Sequence, residues 1–129
     1  MDPVTHFEMP ATDKQRAIAF YSKTFGWRLQ QLGPEMGEYV MAHTTETDPQ
    51  GMVQTPGAIN GGFYSPTDDA GSRAPSVVIN VKDVKAAMAA IARNGGKMLG
   101  EPQQIPGVGM WASFLDTEGN RVSIIQSSR

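Results

Sequence analysis

The spacing of hydrophobic positions changes from two to about 3.6 and back again, and this happens twice in the same order. From Val4 to Met9 the chain alternates: Thr5, Phe7 and Met9 share one face, and Val4, His6 and Glu8 share the other. That pattern predicts a strand with a single core face. Thr12-Asp13-Lys14-Gln15 then fits a capping box, with Thr12 as the cap and Gln15 reaching back. Ala17, Phe20, Tyr21 and Phe25 recur at helical spacing, and Gly26 supplies a left-handed stop. Residues 27–32 and 38–44 read as strands joined by a turn at Gly33-Pro34, and 57–64 as a strand thinned or bulged at Gly61-Gly62. TETDPQGMVQTP, residues 45–56, predicts a mobile polar loop, and SPTDDAGSRAP, residues 65–75, a linker.

The second half repeats the order. A strand at 76–81 precedes a helix from about Asp83 to Arg93, capped by Asp83 and stopped by Asn94-Gly95-Gly96. Strands near 97–103, 109–115 and 121–126 follow, the last two joined by the tight turn DTEGN at 116–120. Asp13 aligns with Asp83, Ala17 with Ala87 and Gly26 with Gly96, each pair 70 residues apart. The sequence therefore predicts an α+β domain of two βαβββ modules, about 4–65 and 76–127, flanking a linker at 66–75. A repeat of this kind means two similar half-domains, and the natural place for a ligand is between them.

Composition narrows the function classes. A chain of 129 residues with 40% apolar and 19% charged residues is long enough for one hydrophobic core. A net charge of −2 and an isoelectric point near 5.6 argue against nucleic acid, which demands a basic surface. No run approaches the ~18 apolar residues of a membrane span, and the opening lacks a secretory pattern, so a cytoplasmic protein is expected. The absence of cysteine removes thiol nucleophiles and thiolate metal sites. His6 and His43 are the sole imidazoles.

HFEMPATDKQRAIAFYSKTFGW resembles the opening module of the vicinal oxygen chelate superfamily, which includes glyoxalase I, extradiol dioxygenases and bleomycin-resistance proteins. VINVKDVKAAMAAIARNGGK and IPGVGMWASFLDTEGNRVSIIQ resemble its closing module. The resemblance implies two βαβββ modules around one cleft, with metal ligands in the enzymes on the first and last strands of each module. Carried over position by position, those sites fall on His6, on Gly61 or Asn60, on Ser76 and on Ser123, where glyoxalase-like members carry a glutamate. His6 alone is a good donor. A divalent transition metal needs about three protein ligands even in an open site, and adding Glu8 gives two. No cofactor is expected; a divalent metal at His6 is the competing reading.

On this reading His6 is a general base, a hydrogen-bond donor to ligand, or a polar wall residue left from a ligand position. Glu8 orients His6 or acts as an acid; its alternative, a solvated carboxylate at the cleft mouth, is the expectation. Alternation places Ser76, Val78 and Asn80 toward the cleft and Val77, Ile79 and Val81 toward the helix. It likewise turns Arg121, Ser123 and Ile125 to the cleft. Arg121 offers a grip for a carboxylate, and Trp111, after the flexible PGVGM, a stacking lid or a packing residue. Gln126, Tyr39 and Tyr64 stay open between wall and core, and His43 is expected to be exposed.

These residues predict a glyoxalase/bleomycin-resistance-like protein, homodimeric as short relatives commonly are, that binds a small polar organic molecule without metal. One alternative is a glyoxalase-type lyase or isomerase, or a dioxygenase-like member, using His6 and Glu8. Another is an accessory or stress protein with no chemistry of its own.

Overall fold

A computed structural model describes residues 1–128. Their contacts divide the chain into two compact units: residues 6–75, and the residues from 76 onward joined by residues 1–5. Each unit is a sheet with one helix on one of its faces. No helix among the described residues is long and apolar enough to cross a membrane.

The first unit contains most of β1 (Val4–Pro10), then α1 (Lys14–Phe25), β2 (Arg28–Gln31), β3 (Val40–His43) and β4 (Asn60–Tyr64). The strand order is β2-β3-β4-β1, with β1 parallel to β4 and the other pairs antiparallel. Alternation in β1 works as expected: Phe7 and Met9 join Val40, Ala42, Phe63, Ile18 and Tyr21 in the core under α1. Tyr21 and Trp27 stack at 4.7 Å between centroids and 13° between planes, a contact worth about 1 kcal/mol beyond its buried area. Phe20 and Phe25, expected in the helical stripe, are 55% and 60% exposed, because Ala17, Ile18 and Tyr21 occupy the face that meets the sheet.

The start of α1 differs from the capping box in the sequence. The cap is Asp13, whose Oδ1 accepts the Arg16 amide at 3.0 Å. Thr12 stands one residue too early, and Gln15 bonds Gln31 at 2.6 Å instead of reaching back. Gly26 ends the helix at φ +73, in the left-handed region where a side chain is unfavourable.

Both polar segments of this unit are built. In 45–56 a Thr47–Val53 bridge closes the loop, and Asp48 Oδ1 accepts the Gln50 and Met52 amides, each at 2.9 Å. The expected linker folds into a 3-10 turn at Ala70–Arg73. The buried Ser72 hydroxyl accepts the Thr67 amide at 2.8 Å and donates to the Asp69 carbonyl at 2.7 Å. Composition marks such residues as turn formers but does not say that one hydroxyl becomes the interior of the turn.

The second unit contains β5 (Ser76–Asn80), α2 (Val84–Arg93), β6 (Lys97–Met98), β7 (Gln103–Ile105), β8 (Gly109–Leu115) and β9 (Arg121–Ser127). β5 runs parallel to β9 in the order β5-β9-β8-β6, and β7 also pairs with β8. The strand predicted over 97–103 is therefore two strands, interrupted by Gly100 at φ +119 and by Pro102, which has no amide to donate. Asp83 caps α2 through the Ala86 amide at 3.1 Å, and Gln126 Oε1 accepts the Val84 amide at 2.9 Å. Val81, Val84, Ala112, Phe114 and Ile124 form the core beneath the helix. Val77, expected to face the helix, is 39% exposed and stays out of the core that Ile79 and Val81 join.

Asp13→Ala should lower unfolding free energy by about 1 kcal/mol through loss of the cap. Thr12→Ala should stay within about 0.5 kcal/mol of the parent, as an exposed substitution without a structural partner. Urea denaturation of both variants tests which residue begins the helix.

Candidate functional site

The helix covers one face of the first sheet, and strand alternation turns a second set of side chains to the other. The parallel register sets His6 opposite Asn60 and Glu8 opposite Gly62. Across β4, Met41 also stands opposite Gly62. Tyr39, two residues before Met41, lays its phenol over Gly62, so that a Cβ added there would overlap both the hydroxyl and the ring. Residue 62 thus has no side chain, and Tyr39 fills the space one would take.

Glu8 is not the solvated carboxylate expected from its charge. It is 8% exposed, on the face away from α1. Burial, and then the negative charge of Glu8, push the Tyr39 phenol well above its ordinary range. Tyr39 is therefore a protonated hydroxyl throughout the neutral range, placed beside a carboxylate.

The neighbouring residues have structural duties. Asn60 Oδ1 accepts the Thr44 amide at 2.8 Å and the Thr45 amide at 3.1 Å, anchoring the exit from β3. Gly61 faces the other way: a Cβ on it would lie 2.6 Å from the Phe7 ring, so it belongs to the helix side. His43 is half-buried rather than exposed and stands opposite Arg28, which binds Glu46 at 2.7 and 3.3 Å. That contact holds the Glu46 carboxyl below its usual range, on an exposed surface.

In the second unit, the predicted residues Ser76, Asn80, Trp111, Arg121 and Ser123 all fall on the sheet face away from α2, because Ile79, Val122, Ile124 and Ala112 pack under it. Ser123 is 2% exposed and stands between Val78 and Ser113. Trp111 is a β8 residue opposite Ile125 and, on its other side, Gln103, within the strand expected over 109–115. Arg121 pairs with Leu115 beside the turn closed by Asp116 and Asn120. A depression of about 330 Å³ at the start of α2, lined by Asp83, Gln104, Met110 and Gln126, includes the open candidate Gln126 and none of the other predicted site residues.

The repeat corrects one alignment. Ser123 stands opposite Val78, and the residue 70 positions before Val78 is Glu8, which stands opposite Gly62. Gly62 is therefore the counterpart of Ser123; Gly61, preferred from sequence alone, is one residue out of phase and on the wrong face. The four positions are His6, Gly62, Ser76 and Ser123. A glycine brings no donor, hydroxyls are poor ligands, and the Asn60 oxygen is engaged by two amides. Among the described residues, no group of three or more His, Cys, Asp or Glu side chains is placed to hold a metal ion. These residues do not fit the metal that the resemblance implies. Tyr39 was visible in sequence merely as one open candidate; the Gly61-Gly62 doublet was the sole signal that something large lay against β4.

The sequence profile of the glyoxalase/bleomycin resistance protein/dioxygenase superfamily matches residues 4–124. A glyoxylase-like domain-containing protein from Didymella fabae is 36% identical over 127 residues, covering 94% of this chain and 91% of that protein. Among solved structures, a Streptomyces coelicolor methylmalonyl-CoA epimerase variant in complex with 2-nitronate-propionyl-CoA superposes with a TM-score of 0.72 at 18% identity, covering 98% of this chain and 97% of its own. A methylmalonyl-CoA epimerase in complex with methylmalonyl-CoA and NH4+ also gives 0.72 at 18% identity, covering 99% and 96%. The epimerase from Mycobacterium tuberculosis gives 0.64 at 15%, covering 98% and 88%. At these identities the solved structures establish the shared fold.

The raised phenol has a pH signature. A tyrosine that ionises less readily in the folded state contributes stability below about pH 10, the ordinary value, and this contribution is lost as pH rises through the folded value. Folding stability should therefore fall above about pH 10, and Tyr39→Phe should flatten that fall. Ultraviolet tyrosinate titration should show a late-ionising phenol in the parent that is absent from the same variant.

Proposed function

The chain belongs to the glyoxalase/bleomycin resistance protein/dioxygenase superfamily, and from that premise we propose that it binds a small polar organic molecule without a metal. The ligand lies against the helix-free face of residues 6–75, where His6, Glu8 and Tyr39 offer polar contacts. The observation that carries this reading is the set of side chains at the four family positions. One imidazole, one glycine and two serines suit hydrogen bonding to an organic molecule and not the charge of a transition ion. A cytoplasmic homodimer belongs to the same reading, supported by the cysteine-free, mildly acidic composition and by the exposed Phe20 and Phe25.

One observation favours a second reading. Glu8 is a buried carboxylate beside the Tyr39 phenol, and buried ionisable groups of this kind cluster at functional sites. An isomerase-type proton transfer has Glu8 take the proton while His6 or Tyr39 supports the ligand oxygen. The epimerases that share the fold act in the same broad reaction class.

A thermal-shift screen of the full chain against small metabolites should find a ligand that raises Tm by several degrees at about a hundred times its Kd. His6→Ala should abolish the shift. Recovery of that ligand unchanged, without deuterium uptake from heavy water, supports binding; exchange at carbon supports the isomerase reading. Elemental analysis should give no stoichiometric nickel, zinc or iron, and a full equivalent of any of these would overturn the metal-free reading.

A further inference from the structure

The chain contains two Asn-Gly pairs, Asn60-Gly61 and Asn94-Gly95, and the fold treats them in opposite ways. An asparagine before glycine is open to attack by the following amide nitrogen on its side-chain carbonyl carbon, because glycine has no Cβ to obstruct the approach. Asn60-Gly61 lies within β4, where Gly61 stands opposite Phe7 of β1 on one side and Ala42 of β3 on the other. The Asn60 side-chain oxygen accepts the Thr44 and Thr45 amides. Peptide and side chain are both held, and neither turns toward the other without opening the sheet.

Asn94-Gly95 stands at the other extreme. Both residues are exposed at the end of α2, with Asn94 as the cap and Gly95 at φ +99. The Gly95 amide donates to the Ala92 carbonyl over a long 3.4 Å, and Asn94 Nδ2 donates to the Ala90 carbonyl at 2.8 Å. Both bonds belong to the last helical turn, where helices fray. Fraying frees the Gly95 nitrogen and the Asn94 side chain together. The counterpart in the first module, 70 residues earlier, is Thr24, which has no amide to lose.

We propose that Asn94 is a site of spontaneous deamidation and that the sheet protects Asn60 from the same reaction. The Gly95 nitrogen bonds to Asn94 Cγ as the Cγ–Nδ2 bond breaks, and the Gly95 amide proton leaves with Nδ2 as ammonia. Water then opens the cyclic imide at either carbonyl, giving aspartate or isoaspartate with no oxidant or enzyme. Both products lose the donor to Ala90 and put a negative charge at the carbonyl end of α2, where the helix dipole disfavours it. Isoaspartate also adds a carbon to the main chain shortly before Gly96. There is little room to absorb it: a Cβ on Gly96 would lie 2.6 Å from the Ile91 side chain and 3.0 Å from the Leu115 carbonyl. The modification thus loosens the seat of α2 on β8.

Peptide mapping of the full chain by mass spectrometry, after weeks in mildly alkaline buffer, tests the assignment. The peptide holding Asn94 should change from amide to acid, in aspartate and isoaspartate forms, about tenfold or more faster than the peptide holding Asn60. In denaturant the two should convert at similar rates, which separates protection by the fold from any effect of the flanking residues. Similar rates in the folded chain, or an Asn94 that stays an amide there, would overturn the proposal. So would a difference that persists unchanged in denaturant. The structural consequence is read on Asn94→Asp, whose Tm should fall several degrees below that of the parent; an unchanged Tm defeats the loosening of α2. Should Asn94→Asp not fold, the deamidated fraction of the parent, isolated by anion exchange, gives the same reading.

Discussion

The register between β1 and β4 is the constraint on which the candidate site depends. Parallel pairing places Glu8 opposite Gly62 and His6 opposite Asn60. With a side-chain period of two, a slip of one residue would put Gly61 opposite Glu8 and turn Phe63 out of the core. The register is held from both sides. Phe63 is locked under α1 with Val40 and Tyr21, and Asn60 is tied to the amides of Thr44 and Thr45. Core packing and one side-chain amide thus determine which glycine receives the Tyr39 phenol.

The same register explains why a family scaffold carries a different polar chemistry. In each module the first and last strands run parallel, so the residues facing away from the helix are grouped by strand pairing and not by sequence proximity. In the second module that grouping surrounds Ser123 with Val78, Ser113 and Ile125, all buried, and turns Asn80 and Arg121 to the same face. In the first it gathers an imidazole, a carboxylate and a phenol. The two halves share a fold and differ in what their helix-free faces present.

Much of the architecture was legible because it depends on short-range rules. Alternation identified β1 and its two faces, Asp83 and Gly26 marked helix ends, and the repeat predicted the order of elements. Misreadings arose where two local rules competed. Thr12 and Asp13 are both good caps, and the aspartate won, shifting the helix start by one. Residues 65–75 carry every mark of a linker, yet Ser72 draws them into a hydrogen-bonded turn. Phe20 and Phe25 fit the helical spacing but miss the core, since spacing alone does not say how wide the covered face is.

By itself the sequence determined the order of the elements, the two faces of β1, the family, and the shortage of metal donors, because each follows from residue types at fixed spacing. Tertiary structure alone decided that Glu8 is buried, that Gly62 and not Gly61 is the counterpart of Ser123, and that Tyr39 occupies the vacated space. Those outcomes depend on which residues from separate strands meet. A phenol 23 positions away along the chain from the glycine it covers is brought there by strand pairing, which local periodicity does not encode.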